Sequence, residues 1–360
     1  MGDITAGAEY CSGLSELRSG DEPEFGGKSA ALGELLAAKI PVPAGFGIGT
    51  AAFRAFLRDS QLEAGIGTAF GRISPDDVES LATVASSVGD TIRGATMPAS
   101  VCTEIARRYD ELADEAGIAE PPVAVRSSAV GEDSEHATFA GQQESYLWVR
   151  GADAICGAVR DCWASLYSAP AISYRARLGQ RQQDAAMGVA VQLMVDALTS
   201  GVMFTCNPVS GDPSMVAINA SWGLGLAVVG GEVTPDDYLV SKVTRELVRE
   251  RISAKQIEYV PSPGGAGTIR VDVPAERAAA RCLDGSALGA LVELAGRVQR
   301  HFVRHQDIEW AIARDSDPPA SIYVLQSRPV TAVADRRKAS AGSAMSLVMS
   351  TFGADATRSD

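Results

Sequence analysis

Hydrophobic and polar positions change rhythm along this chain. In residues 28–39 (KSAALGELLAAK) Leu32, Leu35 and Leu36 recur at helical spacing, which predicts a short amphipathic helix opened by a glycine pair and closed before Pro41-Val42-Pro43. A second short helix is predicted over 50–58. Residues 75–118 read as mostly helical, because Ser74-Pro75-Asp76-Asp77 supplies a cap hydroxyl, a proline at the first helical position and acids in the first turn. After Pro121-Pro122 the run VAVRSS is strand-like, and Ile155, Val159, Cys162 and Leu166 mark a helix at about 152–168.

Near residue 187 the period shortens to two. VAVQLMV, GVMFT, MVAINA, DYLV, DIEWAI and SIYVLQSR are short β-rich runs separated by turn residues, interrupted by one helix at about 287–303. The pattern predicts an α+β protein with a helix-rich lobe over 1–186, a sheet-rich lobe over 187–332, and a polar, Ala/Ser-rich tail or linker over 333–360.

Composition narrows the function. The 360 residues carry 32 Lys+Arg against 45 Asp+Glu, a net charge of −13, and 46% are hydrophobic. That is enough apolar material for one large core or two smaller ones, and it excludes a disordered chain. The acidic balance argues against a general nucleic-acid binder and against attachment to anionic membranes. The opening MGDITAGAEYCSGL lacks a basic region followed by an apolar core, and no apolar run approaches the roughly 18 residues of a membrane span, so a cytoplasmic location is expected. The six cysteines contain no CxxC, and His136, His301 and His305 do not join them at ligand spacing.

Glycine-rich stretches invite comparison with nucleotide motifs. Gly27-Lys28-Ser29 ends like a Walker A sequence, but Glu22 stands where that pattern needs glycine; Gly223-Leu224-Gly225 is followed by Val228 where a dinucleotide fingerprint needs a third glycine. GGKS still offers open backbone amides and a cation at a helix N-terminus, which suits an anion, although a glycine turn with a solvated lysine reads the same way. Arg126-Ser127-Ser128 ends a strand with a guanidinium and two hydroxyls, fit for phosphate oxygens or for a structural ion pair. In Asp307-Ile308-Glu309-Trp310 the strand period puts both acids on one face, and in Gln326-Ser327-Arg328 it aligns the amide with the guanidinium. Were the two strands to pair as a hairpin, two carboxylates and an amide oxygen would meet beside a cation, a hard-oxygen magnesium site with a phosphate clamp.

These segments together carry a resemblance. FGGKSAALGELLAAKIPVPAGFGI, VAVRSSAVGEDSEHATFAGQQES, VAVQLMV, SGVMFTCNPVSGD, INASWGLGLAVVGGEVTPDDY and DIEWAI…YVLQSRPV are similar, in order from about residue 20 to 332, to the ATP-binding domain of the phosphoenolpyruvate synthase and pyruvate phosphate dikinase family, which rifampin phosphotransferase shares. The resemblance implies an ATP-grasp fold with MgATP in the cleft between two lobes. It implies that Lys28 and Arg126 contact phosphates, that Thr138, Phe139, Ala140 and Gly141 form a phosphate-covering loop, and that Gln192, Met194 and Val195 lie by the adenine. Asp307, Glu309 and Gln326 would hold Mg2+, and Arg328 would stabilise the transferring phosphoryl group; Lys28, Arg126 and Arg328 are the expected catalytic set.

In that family ATP gives its β-phosphoryl group to a histidine on a swivelling domain, leaving AMP and phosphate, and the histidine phosphorylates an acceptor elsewhere. No glycine-rich carrier motif with Thr, Ser and His follows Val330. The expected partner is therefore a separate polypeptide with the phosphohistidine, as in phenylphosphate synthase, serving a small acceptor of pyruvate, phenol or other hydroxyl type. Leu226 departs from the family, where a glutamate is common, and puts a faithful copy of the nucleotide pocket in question. Two other functions remain open: a sensing module that binds MgATP without transfer, and a ligase that would release ADP.

Overall fold

The structure, a computed structural model, describes residues 9–70, 78–131, 144–177, 179–314 and 317–330. These gather into two compact units. The first takes in the chain through Gly33, then Ala44 to 131 and 144 to Leu193; the second takes in Glu34–Pro43 and the chain from Met194.

The first unit is built on a five-stranded antiparallel sheet. Its strands are β1 (Cys11–Gly13), β2 (Gly45–Ile48), β3 (Val123–Ala129), β4 (Ser145–Val149) and β5 (Met187–Leu193), in spatial order β1-β2-β5-β3-β4. β5, which follows the expected lobe boundary at 186, pairs with β2 on one side and β3 on the other. Alternation sends Val123, Val125, Val189 and Val191 into an apolar core with Phe53, Phe56, Ile105 and Trp163. The helices are α1 (Glu22–Ala37), whose last turn belongs to the second unit, α2 (Thr50–Asp59), α3 (Leu62–Phe70), α4 (Val78–Gly94), α5 (Ala99–Ala116), α6 (Ala152–Ser165) and α7 (Ala169–Arg177).

The helical period explains α6. Ile155, Val159 and Cys162 lie on one stripe and are fully buried. Trp163 packs against Phe53 and Phe56 with ring centroids 5.5 and 5.2 Å apart. The long helical stretch expected over 75–118 divides into α4 and α5, with Pro98 at the N-cap of α5; the start signal at 74–77 lies outside the described residues.

The second unit has a six-stranded antiparallel sheet. Its strands are β6 (Ala197–Phe204), β7 (Met215–Trp222), β8 (Asp236–Ser241), β9 (Leu247–Arg251), β12 (Gln306–Ala313) and β13 (Ile322–Pro329), in the order β13-β12-β6-β7-β8-β9, with a separate hairpin of β10 (Ile257–Pro261) and β11 (Thr268–Asp272). Its helices are α8 (Leu226–Val229), α9 (Ala275–Ala278) and α10 (Gly285–Phe302). Asp284 caps α10 by accepting from Ala287 N at 2.7 Å.

A buried polar knot ties β8 to the segments around it. Asp236 and Lys255 are both fully buried and meet at 2.5 Å, while Asp236 also accepts from Ser253 N, Cys282 N and the Tyr238 hydroxyl. Such a carboxylate is tolerable inside the protein because every lone pair it offers finds a donor.

Candidate phosphate and metal site

In the first unit the glycine turn delivers Lys28. Gly26 has φ 79° and ψ 163°, breaking α1 into two segments, and a Cβ there would come within 1.9 Å of the Ser128 carbonyl oxygen. Only glycine lets the turn lie this close to the end of β3. Lys28, 2% exposed, donates from Nζ to the Ser127 carbonyl at 2.8 Å, and Ser29 N donates to Ser128 Oγ at 3.2 Å. Gly131 N reaches back to Glu22 Oε1 at 3.1 Å.

The sheet supplies the rest of that face. With Val123, Val125, Val189 and Val191 in the core, the period of two places Ala124, Arg126, Ser128, Gly188, Ala190 and Gln192 on the opposite face. Arg126 is half-buried and stands opposite Ala190; Gln192, 2% exposed, stands opposite Ala124. Phe25, at the head of the glycine turn, closes against Gly188 on the same face. Met194 and Val195 follow β5 and are half-buried, whereas Thr138, Phe139, Ala140 and Gly141 lie outside the described residues.

In the second unit β12 and β13 do pair as an antiparallel hairpin. Asp307 faces Arg328 and Glu309 faces Gln326, with a bulge just after Glu309. Ile308, Trp310 and Ile312 are buried on the other face. Arg328 Nε donates to Asp307 Oδ2 at 3.0 Å, which holds the guanidinium in place. Asp307 is 4% exposed, and its second oxygen, Oδ1, has no hydrogen-bond partner. Burial pushes its carboxyl pKa up, Arg328 pulls it down, and the Glu309 charge raises it again.

An orphaned buried carboxylate oxygen beside a second carboxylate and an amide fits a divalent cation. Among the described residues no three His, Cys, Asp or Glu cluster at ligand spacing, so the donor set is two acids and Gln326. A sparse set of oxygens suits Mg2+, which keeps several of its waters. An apolar strip lies beside these groups. Val202 and Phe204 on β6 stand opposite Glu309 and Asp307, and with Ala217 and Leu239 they form a small cluster on that face. The alternation in GVMFT carried that signal.

The described histidines are tied into the framework. His301 Nε2 lies 3.2 Å from Glu34 Oε2, and His305 Nδ1 lies 2.9 Å from the Thr205 carbonyl oxygen. His136 is outside the described residues. Leu226 opens α8 half-buried, with its carbonyl accepting from Gly230 N.

A lysine held by a glycine turn in the first unit, and paired acids beside a held arginine in the second, are groups whose chemistry suits phosphate oxygens and a divalent cation. Residues 22–347 match the family model for the pyruvate phosphate dikinase AMP/ATP-binding domain, and the chain belongs to that family. It is 39% identical over 327 residues to a probable phosphoenolpyruvate synthase of Methanothermobacter thermautotrophicus, covering 91% of this chain and 47% of the relative. A probable phosphoenolpyruvate synthase of Archaeoglobus fulgidus is 39% identical (90% of this chain, 42% of the relative), and the phosphoenolpyruvate synthase of Pyrococcus furiosus is 35% identical (91% and 44%). The chain thus spans less than half the length of these curated relatives. No helix among the described residues is long and apolar enough to cross a membrane.

Proposed function

We propose that this chain is the ATP-binding, phosphoryl-donating part of a dikinase-type phosphotransferase. It passes the β-phosphoryl group of ATP to a histidine on a separate polypeptide, with release of AMP and phosphate, and that histidine phosphorylates a small pyruvate-, phenol- or other hydroxyl-type acceptor bound elsewhere. The observation that carries this reading is the β12–β13 hairpin, where the Asp307–Arg328 ion pair lies next to the Glu309–Gln326 pair. Membership in an AMP/ATP-binding family supports the nucleotide. The engagement of His301 with Glu34 and of His305 with the Thr205 carbonyl supports an acceptor histidine outside the described framework.

The residues divide the labour. Lys28 and Arg126 neutralise phosphate oxygens, and Gln192, Met194 and Val195 border the adenine. Asp307 Oδ1, Glu309 and the Gln326 amide oxygen would hold Mg2+, which when bound neutralises phosphate charge and fixes the oxygens it touches. Arg328, oriented by Asp307, aims a permanent cation at the phosphoryl group as charge builds on it. Phosphoryl transfer asks little covalent chemistry of a protein and depends on such placement.

Product analysis tests it. The purified chain with MgATP and an extract of its source cells should generate AMP and phosphate together. ADP as the sole nucleotide product would replace the proposal with an acyl-phosphate ligase, and binding without any turnover would replace it with a sensing module.

A further inference from the structure

Along β13 the alternation changes phase once, and that change decides what the site contains. An unbroken period of two in IYVLQSR would put Ile322, Val324, Gln326 and Arg328 on one face. The structure divides them. Ile322 and Val324 are buried opposite Ile312 and Trp310, while Gln326 and Arg328 stand opposite Glu309 and Asp307 on the other face. The division falls at Leu325, which has no opposite number in β12: Trp310 pairs with Val324 and Glu309 with Gln326. Carried past Leu325 without the bulge, the register would set Ser327 against Asp307 and turn Gln326 and Arg328 to the apolar face, opposite Ile308 and Gln306.

What holds the bulge in place lies on that buried face. Ser327, 3% exposed, donates from Oγ to Gln306 Oε1 at 2.9 Å. Gln306, 1% exposed, donates from N to Thr205 Oγ1 at 2.8 Å, and its carbonyl accepts from Thr205 N at 2.9 Å. Thr205 is fully buried, and its carbonyl accepts from Lys242 Nζ and His305 Nδ1. A chain of hydrogen bonds thus runs from the end of β6 across β12 to β13, on the face opposite Asp307 and Arg328. Sliding Ser327 to the other face would take this donor from the buried Gln306 amide oxygen, which costs more than the bond itself contributes.

We propose, on the metal and phosphate reading given above, that Thr205, Gln306 and Ser327 are positioning residues that pin the bulge at Leu325 and so keep Gln326 and Arg328 turned toward Glu309 and Asp307. They act through the strands that carry the acids and the guanidinium.

The test compares ATP binding by the whole chain in excess Mg2+ and in EDTA. The ratio of the two affinities reports how well Asp307, Glu309 and Gln326 are placed for the metal, and loss of stability alone leaves it unmoved. Ser327→Ala should lower the ratio several-fold, and Ser327→Thr, which returns the hydroxyl, should restore most of it. Thr205→Val, close to isosteric, removes the acceptor of Gln306 N and should lower the ratio as well. Val324→Ala truncates a fully buried side chain of the same strand beyond the bulge; it should lower the Tm and keep the wild-type ratio. A wild-type gain from Mg2+ that Ser327→Ala and Thr205→Val keep in full, or an equal loss in Val324→Ala, would overturn the positioning role alone. No gain from Mg2+ in the wild-type chain would remove the metal reading and the positioning role together.

Discussion

At the residue scale the account rests on Asp307, Glu309, Gln326 and Arg328. Glu309→Ala should lower turnover by roughly 10²–10³, because Glu309 is half-buried on the same face as Asp307 and would hold the metal with it. Arg328→Ala should lose activity to a similar degree and also cost about 3–5 kcal/mol of stability, since it abandons the Asp307 carboxylate inside the protein. Steady-state kinetics and denaturant titration on the two variants separate these effects; normal turnover in folded Glu309→Ala protein would remove that residue from the site. Much of this was legible beforehand. The period of two was enough to put Asp307 and Glu309 on one face of their strand and Gln326 with Arg328 on one face of theirs. It was silent on register, so it did not say that Arg328 would face Asp307, nor that Oδ1 would be left without a donor.

At the scale of elements, α1 and β3 act as one device. Gly26 at φ 79° lets the turn press against Ser128 and so sets the height of Lys28 over the Ser127 carbonyl. Gly26→Ala should therefore destabilise the protein by more than the about 1–3 kcal/mol of backbone strain alone and weaken MgATP binding with it. Gly157→Ala gives the contrast: it lies inside α6 with nothing within 4 Å of an added Cβ, so it should stabilise by about 0.5–1 kcal/mol and leave nucleotide affinity unchanged. Equal effects of the two substitutions, read by thermal unfolding and nucleotide titration, would contradict the role given to the turn. Strongly periodic elements such as α6 and α10 could be read from the chain, as could the strand runs after 187. α3 and α7 could not. LEAGIGTAF carries two glycines and APAISYRAR mixes proline and arginine into the stripe, and both helices form because neighbours pack on them rather than by propensity. β1, β2 and β4 are three to five residues long, too short for a period to declare itself.

At the scale of the whole molecule, the sequence divides by texture and the structure by pairing. β5 has the same apolar alternation as the strands after it, yet its hydrogen bonds go to β2 and β3, and Glu34–Pro43 is grouped with the second unit although it lies far from it in sequence. Local pattern reports which face of a strand is apolar; it holds no information on which distant strand will be the neighbour. Transfer to a histidine on another polypeptide also belongs to this scale. Its most direct test is to incubate the purified chain and Mg2+ with an extract of its source cells and ATP labelled at either the β or the γ position. Acid-labile label should then be sought on protein. Label from the β position should appear on a second polypeptide, with the γ label released as inorganic phosphate. Label arriving from the γ position, or no labelled protein in an extract that contains the phosphohistidine partner while MgATP is demonstrably bound, would contradict it.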